Sequence, residues 1–423
     1  MTINMALIGA GGMGKRHANG YLELKKYFSD LNIVAVCDIH ESVAKTVADY
    51  IYEKEGKKPR VLTDIDKVLS LKNLDAIDIA TSTPMHHEIA INAMENGLHV
   101  ITEKPIAITI KAANKMKDVA IKTNKVLSVA ENYRRDPINR LTKALIDSKK
   151  IGEIYFTLDL NLSSSNKSVM HSTVWRSKKF QAGGNVLDAG VHNADMLLYL
   201  LGTVETIFAQ VSIFEKERIL RNMNEVAPVL SKMYSHRKEN SQEGDIILQD
   251  AIDSAFGVLK FDSGTIGQIS FSDASHGYNL GVSTINGSEG SLYRSPSRSG
   301  KSPRIIFSNG REIAGDKLFD LIPEFKLDDD TSMIWDGAKK MSSYNLDFHL
   351  VDAKILAFQY IDFYRSIIKN KKPEVGYDEG IKALGLAYGL IESGIKGNVI
   401  KLEDVISEKE DIYQKEINEK YLI

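Results

Sequence analysis

The sequence of 423 residues carries 54 lysines and arginines against 56 aspartates and glutamates, a formal net charge of −2. That is long enough for two or three domains with sizeable cores, and too balanced to raise a field that draws nucleic acid or an anionic membrane. Hydrophobic residues at 43% and charged residues at 26% make an ordinary globular composition, and one cysteine, Cys37, excludes an intramolecular disulfide framework and a multi-cysteine metal site. The first nine residues lack a basic stretch and carry only a short apolar run, so they do not read as a signal peptide. No apolar run reaches the length of a bilayer span. The expectation is a cytoplasmic protein.

Residues 1–130 alternate short apolar runs with helical patterns. Strands are expected at 4–8, 33–37, 76–80, 99–102 and 126–130. These runs are apolar on both faces, as strands covered by helices on either side should be. A helix is expected over 85–96, with Thr83 as N-cap, Pro84 at the first helical position and a stop at Gly97. Repeated strand–helix units imply a parallel, doubly wound sheet. After about residue 150 the rhythm changes. Ile154, Phe156, Leu158 and Leu160 alternate with Tyr155, Thr157 and Asp159, a half-buried strand of period two. Further strands are expected at 204–212, 251–261, 265–272 and 281–286, with hairpin turns at Asp262-Ser263-Gly264 and Asn309-Gly310. This half reads as a large, mostly antiparallel sheet with helices on one face, closed by helices around 353–368 and 380–395. The segments 215–244 and 297–345 fit neither pattern and read as lids, partner surfaces or mobile loops. The chain is accordingly divided into a nucleotide-binding unit, 1–130, and a substrate-binding and oligomerisation unit, 131–423.

Gly9-Ala10-Gly11-Gly12-Met13-Gly14 follows a buried strand and opens a helical pattern, the context that G-x-G-x-x-G needs. The first glycine makes the tight turn and the second lets backbone approach a pyrophosphate. The third allows close helix–strand packing. Asp38 ends the second strand near the spacing at which a carboxylate meets the adenosine ribose. It accepts hydrogen bonds from a free diol and repels a 2′-phosphate. Ile39 and His40 follow, with no arginine to receive that phosphate. NAD is therefore expected over NADP.

Gly183 through Asp195 runs straight into Met196-Leu197-Leu198-Tyr199-Leu200-Leu201. On a helix, Asp188, His192 and Asp195 share one stripe at i, i+4 and i+7. Two carboxylates and an imidazole on so apolar a helix are costly to bury unless they face partners or a polar pocket, which marks an acid–base site. A core histidine is the plain alternative for His192, and zinc held by the same three residues is another; no His or Cys cluster completes a tetrahedral set. Glu103-Lys104-Pro105 follows the fifth strand, where ligands bind in such sheets. Lys104 can hydrogen-bond a substrate oxygen and stabilise charge on it, or simply be solvated. The proline could be cis. Trp175-Arg176 and the stretch Glu131-Asn132-Tyr133-Arg134-Arg135-Asp136-Pro137 either offer donors to a hydroxylated substrate or pack a domain junction. His86 and His87 lie in a first helical turn near the cofactor or on the surface.

Taken in order, these segments resemble the glucose–fructose oxidoreductase / inositol dehydrogenase / rhizopine catabolism (Gfo/Idh/MocA) family of NAD(P)-dependent oxidoreductases. The resemblance rests on 9–14 with Lys15-Arg16-His17, on Asp38, and on Asp75 through Pro84 with His87. It continues with Gly97 through Pro105, Asn132-Tyr133-Arg134, Trp175-Arg176, Gly183 through Asp195, Ile285 through Leu292 and Pro373. It implies a Rossmann domain followed by an α/β domain on a large open, mostly antiparallel sheet that often joins subunits, and hence a homodimer or homotetramer. The family's catalytic lysine falls on Lys104 and its Asp-x-x-x-His pair on Asp188 and His192. Cofactor contacts are expected from Gly9, Gly11, Gly12, Met13, Gly14, Asp38, Ile39, Thr81, Ser82, Thr83, His87, Glu103, Lys104 and Asn132. Substrate contacts are expected from Lys104, Tyr133, Arg134, Trp175, Arg176, Asp188 and His192. Asn185 stands where the family has a third glycine, and both long segments depart from compact members. The implied activity is hydride transfer between a nicotinamide cofactor and a secondary alcohol of a sugar, sugar derivative or cyclitol. An NAD-dependent glycosidase of the same fold and a non-catalytic NAD(P)-binding regulator are the rivals.

Overall fold

The structure is a computed structural model that describes residues 1–181, 183–221 and 242–423. Its first unit holds β1 (Ile3–Ile8), α1 (Gly12–Leu24), β2 (Leu31–Cys37), α2 (Glu41–Glu55), β3 (Arg60–Leu62), α3 (Ile65–Leu69), β4 (Ala76–Ile79), α4 (His86–Glu95), β5 (His99–Thr102), α5 (Ile110–Thr123) and β6 (Leu127–Val129). Six parallel strands lie in the order β3-β2-β1-β4-β5-β6, the doubly wound arrangement whose order reverses beside β1. The five expected strands are all present. The added one, β3, is three residues of exposed or half-buried character, too short and too polar to stand out as an apolar run. Thr83 does not cap α4: Ser82 precedes a 3-10 turn, Thr83–Met85, that carries Pro84 and leads into the helix.

The fold reverses at Gly9 and closes at Gly14. Gly9 has φ +88°, and a Cβ there would sit 2.7 Å from the Ala80 carbonyl oxygen. A Cβ on Gly14 would lie 2.0 Å from the Gly9 oxygen. Only glycine meets both demands, so α1 starts directly against the strand ends.

The second unit holds α6 (Pro137–Asp147), β7 (Ile154–Leu162), β8 (Ser168–Met170), α7 (Gly184–Asp188), α8 (Gly190–Leu201), β9 (Val204–Ser212), β10 (Glu217–Arg221), β11 (Ile246–Leu248), β12 (Ser254–Phe261), β13 (Ile266–Ser272), β14 (Leu280–Gly287), β15 (Gly290–Tyr293), β16 (Arg304–Phe307), β17 (Glu312–Ala314) and β18 (Ile400–Lys401). Nine of these strands form one sheet, β17-β16-β15-β14-β7-β13-β12-β9-β18. Every pairing is antiparallel except β7 with β13. Both expected hairpin turns are present, with Gly264 and Gly310 at positive φ. Strands β8, β10 and β11 make a small separate sheet. Of the long segment 215–244, residues 222–241 lie outside the described residues; its start forms β10. The segment 297–345 folds into β16, β17, a 3-10 turn and a short helix, Asp329–Ile334.

The alternation in β7 is real, but its buried face is the polar one. Thr157 and Asp159 are buried. Thr157 donates to the Thr284 carbonyl, and Asp159 accepts from Arg294, Ser283 and Asn193. Phe156 turns outward and is 43% exposed. It pairs with exposed Ile266, and exposed Phe208 pairs with exposed Val258 on the same sheet. The inner face packs on the Tyr377–Lys396 helix, whose Leu386, Tyr388, Leu390 and Ile391 join the main core.

Packing crosses residue 130. The Phe348–Lys369 helix lies along α1, and its Ile355, Phe358, Tyr360 and Ile361 share a core with β1, β2 and α2. The Val129 N–H bonds the Val375 carbonyl at 2.9 Å.

Candidate active site

A cleft of about 750 Å3 opens where α1 meets the strand ends. Gly11, Gly12, Met13, Thr81, Ser82, Thr83, Glu103 and Lys104 line it from the first unit, and Asn132, Tyr133, Trp175, Arg176, Asp188 and His192 from the second. The carboxyl ends of β1, β4 and β5 all reach it, as expected for ligands of an open parallel sheet. The N-cap of α1, Gly11, has no side chain to cap the helix. The first-turn N–H groups are thus left for an anion in the cleft. Asp38 stands at the end of β2. It accepts from the Ala10 N–H at 2.9 Å and the His40 N–H at 2.9 Å, so it braces the glycine loop. Two hydrogen bonds leave a carboxylate room for a ribose diol. These features fit a dinucleotide.

Lys104 comes from the segment after β5, with a cis bond to Pro105. Its Nζ donates to the Asp188 carbonyl at 2.7 Å and to Asp188 Oδ1 at 3.0 Å. Arg176 Nε lies 2.7 Å from the other carboxylate oxygen. Burial works against the charge on Lys104, yet Asp188 and Glu103 hold its ammonium above the ordinary lysine value. Burial likewise opposes the Asp188 carboxylate, and Lys104 and Arg176 hold it well below the usual range. A charged ammonium therefore faces the cleft at neutral pH.

His192 is 8% exposed. Its Nδ1 lies 2.7 and 2.8 Å from the two oxygens of Glu131, and its ring stacks on Tyr133 at 4.1 Å between centroids. Burial lowers the His192 pKa, and Glu131 offsets this only in part. Glu131 itself stays ionised: burial opposes it, but His192 pulls its pKa down. An ionised acceptor fixes the proton on Nδ1 and leaves the Nε2 lone pair as a base.

Asp195 does not belong to this site. The helix is interrupted at Ala189, between α7 and α8. Asp195 is buried against Arg134, whose Nε donates to it at 2.9 Å and whose Nη2 makes a second, shorter bond. Neither residue lines the cleft, so the expected substrate contact from Arg134 gives way to a buried ion pair, and the three-residue stripe separates. Among the described residues no group of three or more His, Cys, Asp or Glu is placed to hold a metal ion. The orienting carboxylate for His192 is Glu131, not Asp188. That pairing spans 61 positions, and only the Glu131–Pro137 stretch as a whole hinted at it. His86, rather than His87, lines the cleft, with Nδ1 3.0 Å from the Pro105 carbonyl. Ile39 is 82% exposed, and neither it nor Asp38 lines the cleft, whereas His40 does.

Behind the cleft, His17 of α1 is fully buried. Its Nδ1 lies 2.8 Å from Asp78 and its Nε2 2.9 Å from Glu103, and Tyr360 donates to Asp78 at 2.5 Å. Burial works against charge on this imidazole, but the two carboxylates raise its pKa to about 10.

The chain is similar to known proteins along most of its length. Residues 3–131 match the GFO/IDH/MocA oxidoreductase model with its NAD-binding Rossmann fold, and residues 139–293 match the GFO/IDH/MocA C-terminal domain. The chain is 30% identical over 293 residues to levoglucosan dehydrogenase of Pseudarthrobacter phenanthrenivorans, covering 69% of this chain and 73% of that one. It is 26% identical over 411 residues to myo-inositol 2-dehydrogenase of Thermotoga maritima, covering 96% and 100%. Among solved structures, a levoglucosan dehydrogenase in complex with NADH and levoglucosan superposes with a TM-score of 0.74 at 22% identity, covering 95% of this chain and 100% of that one.

Proposed function

The chain belongs to the GFO/IDH/MocA family of NAD-binding oxidoreductases, and from that premise we propose that it oxidises a secondary alcohol of a sugar, sugar derivative or cyclitol, with Lys104 and His192 acting on one substrate oxygen. NAD is the favoured cofactor and supplies the hydride acceptor when bound. The glycine loop of Gly9, Gly11, Gly12, Met13 and Gly14 would hold it, with Asp38 on the ribose and Thr81, Ser82, Thr83 and Asn132 along the cleft. His192 Nε2 takes the hydroxyl proton. Lys104 donates to the same oxygen and stabilises the negative charge that grows on it. Asp188, itself paired with Arg176, fixes Lys104, and Glu131 holds the imidazole and stabilises the imidazolium that forms. The chain's role is to position, desolvate and move one proton.

The carrying observation is the convergence of Lys104, Asp188 and His192 from two units on one cleft. The test is to supply NAD or NADP separately with a panel of polyols and follow nicotinamide reduction. Lys104→Ala should lower kcat by roughly 10²–10⁴-fold; equal turnover refutes the assignment. Net reduction of NAD, without release of free sugar, also separates this reading from the glycosidase, which is not favoured.

We further read the enzyme as cytoplasmic, to be tested by fractionation of native cells, and as a homodimer or homotetramer joined through the large sheet. The outward phenylalanines support this second reading, because a patch of that kind on a monomer is unusual. Sedimentation of wild type against Phe156→Glu tests it.

A further inference from the structure

Arg298 lies beyond the 139–293 match to the family's C-terminal domain, yet it lines the same cleft. It sits in the segment that folds back between β15 and β16, at φ +63°, a conformation unfavourable for a long side chain. Its backbone N–H is anchored on Asp136 Oδ2 at 2.7 Å. The guanidinium lies 5.0 Å from the ring centre of Tyr133 and 5.1 Å from that of Phe348. Tyr133 in turn stacks on His192, so this cation is one ring away from the reacting base.

Two carboxylates lie near the charge on Arg298, and neither is reserved for its side chain: Asp136 attracts it but accepts from the Arg298 and Ile138 N–H groups and the Tyr344 hydroxyl. The ion-pair partner of Arg298, Asp352, is 3.3 Å away, and Arg16 already holds both oxygens of that carboxylate at 2.7 and 2.5 Å. Arg298 also donates to the Tyr133 hydroxyl at 3.3 Å. Its Nε is buried without an acceptor. A guanidinium has five N–H donors, and Arg298 spends only two of them, on bonds of 3.3 Å to Asp352 and Tyr133. The carboxylates on the cleft wall do not serve it: Glu103 faces His17 and Asp188 faces Lys104 and Arg176.

We propose that Arg298 is a specificity-determining residue that binds an anionic oxygen group of the substrate, so that the alcohol oxidised belongs to an acidic sugar or cyclitol. The fork of a guanidinium suits two oxygens of a carboxylate or of a phosphate ester. This deepens the dehydrogenase reading of the same cleft and rests on it.

The experiment compares matched pairs: aldohexuronates and aldonates against their neutral sugars, and hexose 6-phosphates against hexoses. Turnover with NAD and calorimetric binding to the NADH-loaded protein are both measured, for wild type, Arg298→Gln and Arg298→Lys. The acid should be preferred over its neutral partner at least about tenfold in wild type. That ratio should fall about ten- to a hundredfold in Arg298→Gln, chiefly through KM. Arg298→Lys, which keeps charge and loses the fork, should fall between. Preference for the carboxylate or for the phosphate series identifies which anion is bound. Neutral sugars preferred in every pair, no acid bound at all, or an unchanged ratio in Arg298→Gln overturns the proposal while leaving the dehydrogenase reading intact. Anion-selective binding that depends on Arg298 but brings no turnover with any alcohol supports the proposal and ends that reading.

Discussion

Two buried histidines of this chain are held by carboxylates and behave in opposite ways. His17 is held at both nitrogens, by Asp78 and Glu103, and its pKa rises to about 10. His192 is held at one nitrogen, by Glu131, and its pKa falls. Burial disfavours the imidazolium in both. Two carboxylates outweigh that cost; one does not, because Lys104 and Arg298 also repel charge on His192. The first ring is thus a fixed cation that ties α1 to β4 and β5. The second is a neutral base with one nitrogen to spare.

The sharpest way to break this contrast is His192→Asn, which removes the base we propose and should reduce kcat by roughly 10²–10⁴-fold without changing the melting temperature much; comparable losses of folding and activity would put His192 in the structural class with His17. His17→Asn strands two buried carboxylates and should cost about 3–5 kcal/mol of folding free energy, measured by denaturant titration. Glu131→Gln keeps the hydrogen bond and removes its charge. We expect a fall of about ten- to a hundredfold in kcat, and a melting curve close to wild type.

The smallest effects are in pH. Since the folded state holds the His17 proton that the unfolded chain releases, this contribution is whole below pH 6.5. It drains away as pH rises toward about 10, at up to ~1.4 kcal/mol per pH unit. His17→Asn should flatten that slope in melting experiments between neutral and alkaline pH. For His192 the lowered pKa predicts kcat/KM that is level near neutrality and declines only on the acid side of the ordinary histidine value of 6.5; a decline centred above it would assign the base elsewhere.

How far the sequence could be read follows from the same physics. The parallel strands were legible because burial on both faces leaves continuous apolar runs, and the glycine loop because backbone approach admits few residues. Lys104, Asp188 and His192 were legible as types in context. Glu131 was not, since its partner lies across the sequence and nothing local marks an orienting carboxylate. The Asp195 expectation failed because helical spacing assumes a continuous helix, and the turn at Ala189 breaks it. In β7 the period was legible but not the face, since hydrogen bonds from Arg294, Ser283 and Asn193 make buried Asp159 tolerable. Arg298 belongs to no motif, and its place depends on how a long segment returns.

The path of the Phe348–Lys369 helix bears on biosynthesis. Tyr360 hydrogen-bonds Asp78, and Leu356 comes so close to α1 that a Cβ on Gly20 would lie 2.4 Å from its own Cβ. A nascent polypeptide stopped before that helix would present the flank of α1 and β1 to water. The nucleotide-binding unit, though made first, is completed only after most of the chain has left the ribosome.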